Sequence, residues 1–262
     1  MNEIGATIEI PGGMTHLRFQ TNAQMVNQLR HVVHTKMPDF WRKTLSYIDV
    51  RYIVDVGANI GAVSMMFHFA FPDADILALE PSKTNYAYLE YNIKKFPKID
   101  IMNLGAYSRP GYMPLSMPSP DQRPQLDVEI DTENFGLLSL YGKGAHQEMA
   151  KVDCLDNIVS RPVDILKIDV EGAELDVLHG ATRIMREDQP VVLMELHSEN
   201  LRFSGRRKED YQDFFKDMNY ESLGTYFSDV LLAPRRDHDK HFYSGEHAPG
   251  EAGVHSGERP EP

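Results

Sequence analysis

The residues best able to do chemistry lie in two short runs. Lys167-Ile168-Asp169-Val170-Glu171-Gly172 carries acids two positions apart, and Glu195-Leu196-His197 repeats an ionisable pair at that spacing. In an extended strand, side chains two apart share a face. Asp169 with Glu171, and Glu195 with His197, therefore converge on one mouth if the two runs end neighbouring strands. Three carboxylates and an imidazole suit two chemistries. One is general base catalysis, with His197, Asp169, Glu195 or Glu171 taking a proton. The other is a Mg²⁺-like ion on Asp169, Glu195 and His197 that acidifies a bound hydroxyl. Two plainer readings stay open, Asp169 as a helix cap and His197 as a loop histidine. Lys167 has the parity of Asp169 and is expected to pair with it.

A second constellation is Asp55-Val56-Gly57-Ala58-Asn59-Ile60-Gly61, between an apolar run and a helical pattern. In an open parallel sheet, ligands bind beyond the carboxyl ends of strands, where small residues admit close backbone approach. Gly57 and Gly61 fit that need, and the following helix turns N–H groups toward an anion. Glu80 stands about 20 positions on, where an acid accepts hydrogen bonds from ribose hydroxyls. Together these favour an adenosine-containing cofactor over a bare turn. A nicotinamide or flavin site would read G-x-G-x-x-G to cradle a pyrophosphate. Here the spacing is G-x-x-x-G. S-adenosyl-L-methionine has no phosphate, so it is the better fit. An NAD(P)-dependent oxidoreductase is the alternative. A non-catalytic nucleoside-binding protein of the same fold is a third reading, which the acid cluster opposes.

The elements that must position these groups alternate. Strands are expected at Tyr52 to Val56, Asp75 to Glu80, Ile99 to Leu104, Asp164 to Asp169 and Pro190 to Leu196. Helices fall between them, at Ile60 to Phe71, from a Ser82 cap to about Phe96, and at Gly172 to about Glu187; another follows at Lys208 to Met218. Tyr220 to Leu223 and Val230 to Ala233 make a closing antiparallel pair. The result is an α/β, Rossmann-like fold with a mainly parallel sheet covered by helices on both faces.

Residues 47–234 form this domain. Residues 1–46 are expected to be a cap or lid containing a helix from Gln24 to His34. Residues 112–149 are a surface insertion, with alternation at Leu126 to Ile130, that shapes acceptor choice. Residues 235–262 are a disordered tail. The aromatic group Phe40, Trp41 and Tyr47 reads as core packing or a pocket cover.

The chain has 262 residues, a net charge of -12 from 27 Lys+Arg against 39 Asp+Glu, and one cysteine. An acidic surface argues against a nucleic-acid partner. Cys154 cannot form an intrachain disulfide and reads as a core filler. No run approaches the about 18 apolar residues of a membrane span, and the N-terminus lacks a secretory pattern. A cytoplasmic protein is expected, with self-association into a homo-oligomer left open.

Four stretches, DVGANIG at 55–61, Glu80-Pro81, KIDVEGAE at 167–174 and Glu195 after Pro190, together resemble FkbM-type methyltransferases. Leu178-His179-Gly180-Ala181 matches as well, and the resemblance runs from about Ile53 to Pro234. It implies a class I methyltransferase fold, with a seven-stranded sheet whose last strand is antiparallel, and S-adenosyl-L-methionine as cofactor. It further implies O-methylation of a small molecule, sugar or natural product. By the same resemblance Asp55, Gly57, Asn59 and Gly61 line the methionine and ribose part of the pocket and Glu80 holds the ribose. Leu104 and Ala106 meet the adenine, and Asp169 lies beside the sulfonium.

Overall fold

The computed structural model describes residues 3–10, 13–20, 37–119, 122, 138–144, 146–226 and 229–235. The expected helix at Gln24 to His34, the alternation at Leu126 to Ile130 and the tail beyond 235 lie outside them. A hairpin opens the chain, β1 (Glu3–Ile10) against β2 (Gly13–Gln20). The sequence pattern had suggested no element there. Helix α1 (Met37–Thr44) follows. The alternating core then runs β3 (Tyr52–Val56), α2 (Ala62–Ala70), β4 (Asp75–Leu79), α3 (Lys83–Ile93) and β5 (Ile99–Met102). After a smaller sheet come α4 (Leu155–Ile158), β9 (Ile165–Ile168), α5 (Glu174–His179) and β10 (Val191–Glu195). The chain closes with α6 (Ser198–Ser204), α7 (Lys208–Asp217), β11 (Tyr220–Tyr226) and β12 (Asp229–Pro234). Helix α6 was not foreseen from the sequence.

Seven strands stand in the order β11-β12-β10-β9-β3-β4-β5. The pairs among β10, β9, β3, β4 and β5 are parallel, and β12 is antiparallel to both β10 and β11. This is the class I methyltransferase architecture. From β3 the chain builds outward through β4 and β5, then crosses to the other side for β9 and β10. That reversal opens a crevice at the carboxyl ends of β3 and β9, where open α/β sheets take ligands.

Both faces of the central strands are apolar, as a doubly covered sheet requires. Ile53, Ile76 and Leu193 pack under α1, α2 and α3 with Trp41, Phe67 and Leu89. Val54, Val56, Leu166 and Ile168 pack on the opposite face with Leu178, Ile184, Phe214 and Tyr220. Trp41 stacks on Phe67 at 4.3 Å and is 1% exposed, so it is core rather than a pocket cover. Cys154 sits half-buried at the N-terminal cap of α4 rather than in the core.

The single helix expected from Gly172 to Glu187 is broken in two. Gly180 runs against the main chain at Tyr107, where an added Cβ would lie 2.1 Å from the carbonyl oxygen. The Asp156 carboxylate then captures Arg183 N–H and Ile184 N–H, at 2.8 and 3.1 Å. These bonds start a separate π-helical turn over Ile184–Asp188.

The smaller sheet joins β6 (Gly105–Ala106), β8 (His146–Asp153) and β7 (Gly111–Ser116) in that order. β7 and β8 are antiparallel, which pairs the two ends of the insertion. The Glu148 carboxylate accepts from Lys83 N–H at 2.9 Å, which ties this sheet to the start of α3.

Candidate active site

The glycine bend leaves β3 and is shaped by three consecutive needs. Gly57 has φ +83, and a Cβ there would stand 1.8 Å from the Asp169 carbonyl oxygen. Gly61 has φ +91, and its Cβ would meet Leu89 and Ile93 of α3 at 2.7 and 3.0 Å. Both glycines are thus required first by protein–protein approach, a reason different from the ligand approach expected. Between them Asn59 takes a left-handed φ of +53, a conformation that asparagine tolerates best after glycine. Gly57 N–H and Ala58 N–H donate to Leu79 O, at 3.0 and 2.9 Å. Asn92 Nδ2, from α3, donates to Ile60 O at 2.9 Å and pins the far end of the bend.

Glu80 faces this bend from the end of β4. Its carboxylate accepts from Asn59 N–H at 2.8 Å, from Ser82 N–H at 2.9 Å and from Asn85 Nδ2 at 3.5 Å. It is 5% exposed, and burial pushes it up to about 7 despite those three donors. Gly57 and Glu80 therefore share one end of the sheet and one hydrogen-bonded unit. The side-chain Oδ1 of Asn59 is buried there and has no hydrogen-bond partner among the described residues. A buried acceptor left open at a strand tip awaits a donor.

Asp55 lies deeper. It is 1% exposed, accepts from Ser64 Oγ at 2.5 Å, and burial pushes it up to about 6. Leu104, in the β5–β6 connection, and Ala106, on β6, are both buried.

On the other side of the crevice the acids gather around one cation. Lys167 on β9 is 3% exposed, with Nζ 3.1 Å from Asp229 and 3.5 Å from Asp169. Burial opposes its charge, but Asp169, Asp229, Glu195 and Asp55 together raise it. Asp229 sits across the β10–β12 register from Glu195. Sequence reasoning did not reach Asp229, because more than sixty residues separate it from Lys167. The expected pairing of Lys167 with Asp169 is present.

Asp169, Glu171 and Glu195 each place a carboxylate oxygen within 4.8 Å of the others. They meet by a route different from the extended strand expected. β9 ends at Ile168, and Glu171 (φ +51) and Gly172 (φ +106) form a left-handed turn closed by Glu174, which accepts from Gly172 N–H at 2.8 Å. Burial pushes Glu174 itself up to about 7. Asp169 and Glu195 share a hydrogen bond. Burial and the neighbouring Asp169 hold Glu195 well above the usual carboxylate range; Asp169, opposed by burial, is drawn below it by Lys167. His197 Nε2 lies 2.9 Å from Glu195 Oε1 on a side chain that is half exposed. His197 thus touches the cluster at its edge, and Glu171 takes the place in the convergent set that the expected metal trio gave to His197.

Beside the acid cluster stands a wall that the motifs did not show. Ser139 Oγ donates to Glu171 O at 2.5 Å, and Tyr141 OH donates to Asp176 at 2.7 Å. Arg206 Nη2 holds both Asp176 oxygens at 3.1 Å, and Tyr107 OH meets Tyr141 OH at 3.3 Å. Residues 138–144, the described return of the insertion, are thereby fastened to the turn that carries Glu171.

Among known proteins, this chain is 30% identical over 161 residues to "Methyltransferase sdnD" of Sordaria araneosa, covering 49% of this chain and 60% of that one. It is 26% identical over 147 residues to "Methyltransferase 1" of Beauveria bassiana, covering 50% and 59%. The alignments thus span about 60% of the length of these relatives. A crystal structure of methyltransferase FkbM from Methylobacillus flagellatus KT superposes with a TM-score of 0.48 at 16% identity, covering 81% of this chain and 55% of that one. The family model for the methyltransferase FkbM domain matches residues 55–222, well over half of the sequence. The chain belongs to the FkbM methyltransferase family.

Proposed function

We propose that this protein is an S-adenosyl-L-methionine-dependent O-methyltransferase whose acceptor is a hydroxyl of a small molecule, sugar or natural product. The observation that carries the reading is the joined unit of Gly57, Asn59 and Glu80, with the buried Asn59 Oδ1 open to a donor. A nucleoside bearing an amino-acid tail offers both partners that this unit lacks, ribose hydroxyls for Glu80 and an ammonium for Asn59. Gly57 and Gly61 shape the bend, Asp55 supports it through Ser64 and α2, and Leu104 and Ala106 border the adenine side. Family membership sets aside the nicotinamide reading.

The cofactor supplies an electrophilic methyl group, and what remains for the protein is alignment and proton removal. Glu195 is protonated near neutral pH and donates to Asp169, so neither is a strong base there. Its Oε1 accepts from His197 Nε2–H, a tautomer assigned from the 2.9 Å contact. The lone pair of His197 Nδ1 then receives the acceptor's hydroxyl proton. Asp169 and Glu171 place negative charge beside the expected sulfonium. A second reading, favoured by the convergence of three carboxylates, puts a divalent cation on Asp169, Glu171 and Glu195. Magnesium titration of the cofactor-loaded protein separates the two, since only the metal reading predicts heat that Glu195→Gln abolishes.

Calorimetry with S-adenosylmethionine and S-adenosylhomocysteine tests the cofactor. Micromolar-scale binding that Glu80→Ala removes is expected, and a flat titration with both ligands rejects it. Labelled methyl transfer onto a panel of hydroxylated sugars and natural products, with the product read at oxygen by mass spectrometry, tests the acceptor.

A further inference from the structure

We infer that Asn103 is a positioning residue for Glu80, and that through it the cofactor site gains its preference for a ribose over a deoxyribose. β4 and β5 pair in parallel, with Ile76 N–H donating to Lys98 O at 2.8 Å and Glu80 N–H to Met102 O at 3.1 Å. A parallel ladder continues by alternating evenly spaced donations between its two strands. The next rung would run from Leu104 N–H to Glu80 O. It is not made, because β5 ends at Met102 and Leu104 N–H turns back to Met102 O at 3.0 Å.

The Asn103 side chain fills the place of that rung. Its Nδ2 donates to Glu80 O at 2.9 Å and to Pro81 O at 3.1 Å. The Glu80 peptide is thus held in ladder orientation one step past the end of the sheet. Pro81 has no N–H with which to anchor the turn itself.

The aim of Glu80 matters because its carboxylate is nearly full. It already accepts from Asn59, Ser82 and Asn85. A carboxylate offers about four acceptor sites, so about one is left for a hydroxyl. Turning the Glu80–Pro81 peptide turns that last site away from its target. Asn103 itself is exposed, so substituting it leaves the core untouched.

This inference rests on the adenosyl cofactor reading above, and the test separates the two. Calorimetry titrates S-adenosylhomocysteine and its 2′-deoxy and 3′-deoxy analogues into the native chain, Asn103→Asp and Asn103→Ala, with thermal midpoints confirming folding. Asp keeps the shape of Asn but cannot donate. The native chain is expected to prefer the ribose form over the more penalised analogue by about tenfold or more, the scale of a hydrogen bond to a carboxylate. Both variants should lose most of that ratio while binding that analogue as the native chain does. An unchanged ratio in the variants, equal weakening toward all ligands, or a native chain without ribose preference overturns the inference alone. Absence of all binding by the native chain overturns the cofactor reading, and the inference with it.

Discussion

The two sides of the crevice are made of different materials. At the tips of β3 and β4, the fixed groups are main-chain N–H donors, two glycines in left-handed conformations and the buried carboxylates of Asp55 and Glu80, all within residues 55–85. At the tips of β9 and β10, the fixed groups are side-chain charges drawn from residues 167–229, with Asp169, Glu195 and Asp229 about one buried lysine. The first side is fixed by backbone hydrogen bonds and close main-chain approach. The second is balanced, and holds only while its charges remain matched. Shape is the vulnerable property on one side, and charge on the other.

The largest test of this contrast is Lys167→Met. Leaving buried acids without their cation costs about 4 kcal/mol, read as a lower urea midpoint. Adding Asp229→Asn should restore part of the loss, and failure to do so would mean that the lysine acts by packing alone. Gly57→Ala probes the other material. A methyl pressed against the Asp169 carbonyl, in a left-handed backbone, should cost about 3 kcal/mol, and no companion charge change should recover it. Next in size is His197→Ala, which should slow methyl transfer by about a hundredfold and leave S-adenosylhomocysteine affinity in place; a parallel loss of affinity would move His197 into the cofactor pocket.

A pH titration sharpens the comparison further. Burial holds Glu80 and Glu174 up to about 7, against an ordinary 4.5. Between those values the folded chain keeps protons that the unfolded chain has released, so stability falls as pH rises through that window. For each group the change is on the order of 3 kcal/mol. Glu80→Gln should flatten its share of the slope in denaturant melts at pH 4.5, 5.5 and 7. The smallest effect expected is from Tyr141→Phe, about 1 kcal/mol for one hydrogen bond to Asp176, measured by thermal shift. An effect near zero would show that Arg206 and Ser139 hold that wall without it.

What the sequence made legible follows the same division. Strand-turn-helix order, the Ser82 cap, confirmed by Asn85 N–H donating to its side chain at 3.4 Å, and the position of Glu80 all depend on neighbours in the chain. Local pattern therefore reached them. The convergence of Asp169 with Glu195 followed from strand order, which the alternation of elements implied. Asp229, Asn92 and the Tyr141–Asp176–Arg206 wall are contacts between residues 30 or more apart, and no periodicity reports those. The turn at Glu171 was hidden for another reason. Val170-Glu171 reads as a continuing strand, and the left-handed conformation is imposed by the Gly172–Glu174 closure that follows it.

At Gly57 the bend after β3 meets the end of β9 as main chain against main chain. A joint of that kind has no rotamers to exchange, so the spacing between the two strand tips stays constant whatever the surrounding side chains do. Variation is left to the borders, where Ser139 and Tyr141 fasten the loop by side-chain contacts, while the ruler between the tips keeps its length.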